Sequence, residues 1–94
     1  MFKPMSASPL VYILYSERTH KYYVGSTVDL DHRLYHHNLG ATPSTRAGKP
    51  WRVVHTESFV DLKAARKRER AIKRKKSRRY IEWLIASSKE GQRV

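Results

Sequence analysis

Glu69 is the one acid between Lys63 and Arg79, a stretch that holds eleven lysines and arginines. A glutamate placed for helix propensity or surface ion pairs would share the outer face with those cations. On a helical wheel it falls instead inside the apolar stripe of Leu62, Ala65 and Ile72. A carboxylate turned toward the body of a protein needs a partner: an arginine, a hydroxyl or a cation. A buried Glu–Arg pair is one answer. A hard divalent ion is another, because Mg²⁺ is often held by one or two carboxylates, with water and substrate phosphate completing its shell.

Arg33 and His37 raise the same question one helix earlier. On the wheel, Leu30 and Leu34 define an inward stripe, and Arg33 and His37 fall on its side while Tyr35 and His36 point elsewhere. An arginine beside two core leucines either snorkels outward, its stem covering the core edge, or meets a partner. Tyr12 and Tyr23 complete the set. Strand alternation puts Tyr12 opposite Val11 and Ile13, and Tyr23 opposite Tyr22 and Val24. Each is either ordinary packing or a hydroxyl carried to a reaction centre.

The elements that position these groups read in order. Leu10 to Tyr15 is apolar and β-prone, and Tyr22 to Ser26 forms a second strand across a polar connection, with Gly25 as a structural turn at its end. Thr27 or Asp29 caps a helix that runs to about Asn38, with Gly40 as its terminator. Ala41 to Pro50 is full of breakers and reads as loop. Trp51 to Phe59 is a third strand. Asp61 caps a helix to about Lys76, and Ser77 caps another from Arg78 to about Ser87. Trp51, Phe59, Tyr80, Ile81 and Trp83 are expected to build the core and its rim. The order β-β-α-β-α-α implies an α+β fold, a small mainly antiparallel sheet with helices packed on it. One domain, residues 10–87, is expected between a frayed lead over 1–9 and a polar tail over 88–94.

Composition narrows the function. Twenty Lys/Arg against eight Asp/Glu give a net charge of +12 over 94 residues. Such a field attracts polyanions whatever the fold. The outward positions Arg66, Lys67, Arg70, Lys73 and Arg74, continuing into Lys75, Lys76, Arg78 and Arg79, make a phosphate track or a solvated face. If roughly six of them meet phosphates, affinity falls by orders of magnitude between low and moderate salt. The chain has no cysteine, so disulfides, thiolate zinc sites and thiol nucleophiles are excluded. No window approaches the roughly 18–20 apolar residues of a membrane span. The opening residues have no apolar run long enough for a signal peptide, so the expected location is cytoplasmic.

These residues, in this order, resemble the GIY-YIG endonucleases. The paired signature is carried by Val11-Tyr12-Ile13 and Tyr23-Val24-Gly25. Arg33 follows the glycine by eight residues, then come His37, Asn38 and, on a later helix, Glu69. The likeness covers Leu10 to Leu84 and is strongest to small stand-alone members. The first signature reads Leu10-Val11-Tyr12 and lacks its glycine, Val24 stands for isoleucine, and Ser26 follows the second glycine, where some relatives carry lysine. The resemblance implies a three-stranded antiparallel sheet flanked by helices. It also implies hydrolysis of DNA phosphodiester bonds with one divalent ion, Mg²⁺ or Mn²⁺. Tyr12 would be the general base, Tyr23 would bond the phosphate or water, Arg33 would stabilise the phosphate, His37 would assist proton transfer or orient the tyrosine, and Glu69 would hold the metal. With no recognition module, selection of DNA shape, branched or damaged, is expected over a strict sequence site. Two other readings remain open: a basic DNA- or RNA-binding module that keeps the fold but cuts poorly or not at all, and a ribosome- or RNA-associated protein.

Overall fold

The computed structural model describes residues 8–91. Its elements are β1 (Leu10–Ser16), β2 (Tyr22–Thr27), α1 (Leu30–Leu39), a 3-10 turn (Pro43–Gly48), β3 (Trp51–Ser58), α2 (Leu62–Lys75) and α3 (Arg78–Gly91). The strands form one antiparallel sheet in the order β2-β1-β3. The expected architecture is therefore the observed one.

β1 is central because it can be buried on both faces. Val11, Tyr12, Ile13 and Leu14 are all inaccessible to solvent. Val11, Ile13 and Val24 pack against Ala65 and Ile72 of α2 and Leu84 of α3, with Tyr22, Val54, Phe59, Tyr80 and Ile81 at the margin. Tyr12, Leu14 and Trp51 pack on the opposite face with Tyr23, Leu30, Leu34 and Val53. The two faces thus hold α2 and α3 on one side and α1 on the other. Between β1 and β3 the register shifts after Ile13, which pairs with His55 while Leu14 pairs with Val53. That bulge turns Val54 and His55 toward the α2 side.

Local chemistry sets the element ends. The Asp29 carboxylate accepts from the His32 N–H at 3.2 Å, and Asp61 accepts from Ala64 N–H at 2.8 Å. Gly40, at φ 80°, ends α1 in the left-handed conformation. The Ala41–Pro50 stretch is not irregular throughout. It winds into the 3-10 turn, which buries Thr45 and seats the Trp51 indole against Gly48. The Trp51 indole N–H donates to the Thr45 carbonyl at 2.7 Å. Asn38 clamps the start of β3, accepting from Trp51 N–H and donating to Trp51 O.

Four expectations need correction. Gly25 is not a turn: β2 continues to Thr27, and Gly25 pairs with Tyr12 inside the sheet. Arg33 is exposed, because the buried stripe of α1 is completed by His37 rather than by Arg33. Trp83 belongs neither to the core nor to its rim; it is 60 % exposed and stacks on Tyr80 from the outer side of α3. α3 runs to Gly91, past Ser87, since Ser88, Lys89 and Glu90 contain no breaker. The lead residues 1–7 and the last three, 92–94, lie outside the described residues. No helix among the described residues is long and apolar enough to cross a membrane.

A Cβ on Gly25 would lie 2.5 Å from the Tyr12 hydroxyl oxygen and 2.6 Å from Cζ. Gly25→Ala should therefore cost about 1–3 kcal/mol, the range for overpacking a core, read as a lower urea midpoint. In a Tyr12→Leu background the same change should cost far less. An equal cost in both backgrounds would mean that the strand, not the phenol, requires glycine.

Candidate active site

Tyr12 is held from three sides. Its ring lies across the bare backbone of Gly25, which only glycine permits. Its hydroxyl is 3.1 Å from His37 Nε2. The Arg33 guanidinium lies beside the same hydroxyl, and their interaction raises the arginine above its ordinary value despite partial burial. His37 is itself wholly enclosed, and its Nδ1 is 2.8 Å from the Thr45 hydroxyl. That hydroxyl points its proton at the Thr42 carbonyl, 3.3 Å away. Thr45 must then accept from His37 Nδ1–H, so Nε2 is left as the acceptor for the Tyr12 proton. The result is a directed chain, Tyr12 to His37 to Thr45 to the backbone.

Electrostatics keep this chain neutral at rest. Burial pushes the Tyr12 hydroxyl above 10.0, and the hydrogen bond and charge of Arg33 offset only part of that. Burial, then the charges of Arg33 and His36, push His37 below 6.5. A tyrosinate does not exist beforehand, and an uncharged imidazole stands ready to take its proton. Tyr23 is half-buried, with its ring centroid 4.9 Å from His37 and 6.4 Å from Tyr12.

Glu69 approaches from the other side of β2. Ser26, on the α2 face of that strand, donates to Oε1 at 2.5 Å, and Lys73 donates to Oε2 at 2.6 Å. Partial burial pushes the carboxyl up, but the bonds from Lys73 and Ser26 outweigh it and hold the group below the ordinary carboxylate range. β2 is an edge strand, and the Glu69 charge contributes a minor effect at both Tyr12 and Arg33.

No group of three or more His, Asp or Glu among the described residues is placed to hold a metal. The donors at Glu69 are one carboxylate and the Ser26 hydroxyl. This set fits a hard divalent ion that keeps most of its water and takes phosphate oxygens. Such an ion would compete with the Lys73 ammonium for Oε2.

The expected nucleic-acid track divides. Arg66, Lys67, Arg70 and Arg74 are exposed on α2. Lys73 is half committed, bonded to Glu69 and lying 5.7 Å from the centroid of the Tyr23 ring. Three positions escaped the sequence reading. Thr45 lies in a segment with no periodicity to place it. Ser26 took its meaning only from Glu69. Arg68 turns inward to make a two-point bond with Glu57, whose second oxygen also meets His55 Nε2 at 2.8 Å. Burial raises the Glu57 carboxyl, but the bonds from Arg68 and His55 prevail and lower it. That network ties α2 to β3; the alternation of Glu57 and His55 along the strand was the available signal.

No curated protein and no solved structure matches the chain. A family model described as the GIY-YIG catalytic domain matches residues 8–81 of the 94. That span takes in both tyrosines, Gly25, Arg33, His37 and Glu69, and the chain belongs to the GIY-YIG family of nuclease-type catalytic domains.

Proposed function

We propose that the protein is a divalent-metal-dependent endonuclease that hydrolyses DNA phosphodiester bonds and selects DNA by shape, branched or damaged, in the cytoplasm. The observation that carries this reading is the Tyr12 hydroxyl, aimed at a buried neutral histidine and touched by an arginine. An ordinary core tyrosine needs one hydrogen-bond partner. This one has a proton acceptor and a cation, with a carboxylate's charge acting across the strand.

Tyr12 serves as general base without forming a free phenolate. As it takes a proton from the attacking water, its own proton passes to His37 Nε2, and Thr45 keeps the imidazole in orientation. The hydroxide attacks phosphorus and the far oxygen leaves. Arg33 is exposed at rest and moves its planar fork from the Tyr12 hydroxyl to the phosphate, neutralising charge as it builds and uncovering the hydroxyl. Tyr23 bonds the phosphate or water. Glu69 holds Mg²⁺ or Mn²⁺ with Ser26 beside it. When bound, the ion supplies Lewis-acid polarisation of the phosphate and stabilises the leaving oxygen. Arg66, Lys67, Arg70 and Arg74 hold the backbone without reading sequence.

One observation favours a second reading. Both Glu69 oxygens are engaged, by Ser26 and by Lys73. A module that binds DNA or RNA with this carboxylate locked to its lysine would need no metal.

Cleavage of linear and branched DNA with Mg²⁺ or Mn²⁺ separates the two. Tyr12→Phe should lower cleavage by at least 100-fold, since general-base roles contribute about 10²–10⁴, with binding nearly unchanged. Equal loss of cleavage and binding would refute the assigned role. Glu69→Ala should eliminate metal-dependent cleavage, and full activity in that variant sinks the metal site.

The pH dependence follows from His37. Its folded pKa lies below 6.5, so it is neutral and able to accept at pH 7. The rate should be flat near neutrality and fall as acidification protonates Nε2. The same sign holds for stability: the unfolded chain binds this proton more readily, so stability is present above about 6.5 and lost as pH falls toward the folded value. His37→Gln should lose the acid limb that begins in this window. A profile unchanged by that substitution would remove His37 from the relay.

A further inference from the structure

The hairpin between β1 and β2 meets the elbow between α2 and α3 at an open cleft of about 310 Å³, lined by Lys21, Tyr22, Lys76, Ser77, Arg78 and Ile81. Three of the six carry positive charge. Lys21 and Lys76 are exposed, and neither ammonium has a carboxylate partner among the described residues. Arg78 is fixed in place. It donates to the His20 carbonyl, pairs with Glu82 at 3.1 Å and lies 4.9 Å from the centroid of the Tyr22 ring. Three cations against that one acid leave the cleft positive. The Ser77 hydroxyl accepts from the Tyr80 N–H, capping α3 and holding its first turn toward the same opening.

The cleft is aligned with the candidate active site. Glu69 bonds Ser26, Lys73 lies over Tyr23, and Arg78 lies over Tyr22. α2 therefore descends alongside β2 in the opposite direction, from the carboxylate to the cleft. From Glu69 to Lys76 a helix rises about 10 Å. From Ser26, which bonds Glu69, to Tyr22 a strand covers about 13 Å. Both routes place the cleft on the order of 10 Å from the carboxylate, no more than a few nucleotides along one strand.

We propose that this cleft is a phosphate subsite, in which Lys21 and Lys76 seat one backbone phosphate within a few nucleotides of the bond being cut. The inference rests on the nuclease reading and adds to it a second fixed point on the same strand. One phosphate in the centre leaves the strand free to pivot. A second, held by point charges, sets its direction past Tyr12.

Lys76→Gly tests this cleanly. Lys76 has φ 49°, a conformation that glycine adopts without strain, so the change removes the ammonium without threatening the fold. Binding of a labelled duplex is followed by fluorescence anisotropy through a salt series, without divalent metal. The slope of log K against log salt should flatten by about one unit in Lys76→Gly, while its melting temperature is no lower than that of the wild type. A second series replaces single phosphates by neutral methylphosphonates. One position, within a few nucleotides of the cut bond, should weaken the wild type several-fold and leave Lys76→Gly unaffected. An unchanged slope, or a variant that responds at every position as the wild type does, overturns the subsite and leaves the nuclease reading standing. The expected binding pattern on DNA that is never cut supports the subsite and overturns the nuclease reading. Wild-type protein that binds no DNA overturns both.

Discussion

The Tyr12 ring rests on a strand that has no side chain at the point of contact. β1 is the central strand, walled in by α1 on one face and by α2 and α3 on the other. A side chain there would ordinarily end in the core. Because Gly25 presents only backbone, the phenol lies flat across its neighbour and brings its hydroxyl toward the sheet edge. That edge is where Glu69 arrives from the opposite face. A methyl group at position 25 would separate the two halves of the site. The glycine is thus required for close approach, not for a turn, which is the more demanding constraint because any Cβ violates it.

This explains which parts of the molecule the chain made legible and which it did not. The strands announce themselves by alternation, and the two faces of β1 and β2 follow from it, so Tyr12 and Tyr23 fall together opposite Val11, Ile13 and Val24. Asp29, Asp61 and Gly40 mark helix ends through local chemistry, which sequence carries directly. Glu69 was visible as an acid out of place. Thr45 was not, because its role depends on how a loop closes over a buried ring, and nothing periodic connects it with His37. Arg33 was placed too deep: the wheel gives an angle, while the burial at that angle depends on what packs there, and His37 took the space. The bulge between β1 and β3 was equally silent, since one added residue in a strand leaves no mark on composition.

The charges of the site oppose one another in a way that suits a resting state. Burial discourages ionisation of Tyr12, and Arg33 favours it. Burial and Arg33 together discourage protonation of His37. Arg33 therefore pushes on both members of the pair, easing the proton off the phenol and resisting its arrival on the imidazole. If Arg33 turns to an incoming phosphate, the second effect weakens as the anion neutralises it, and His37 becomes the better acceptor at the moment a proton must move. The substrate's own charge would then switch the relay on, and water reaching an empty site would meet an unreactive phenol.

The same reasoning applies to Lys73. An ammonium on the carboxylate keeps Glu69 charged in a partly buried position, at little cost because the chain is rich in cations. A divalent ion would bring more charge to the same oxygen and free the lysine, whose ammonium already lies over Tyr23. Released there, it would lie beside Tyr23, between the carboxylate and Lys76 along α2. Metal binding and phosphate binding would then reinforce each other through one side chain: the ion expels the lysine, and the strand gives that lysine a new partner. The acid, the lysine and the basic elbow fall on one helix face at intervals of about one turn, so a single rigid element can couple the cation to the polyanion without any rearrangement of the fold.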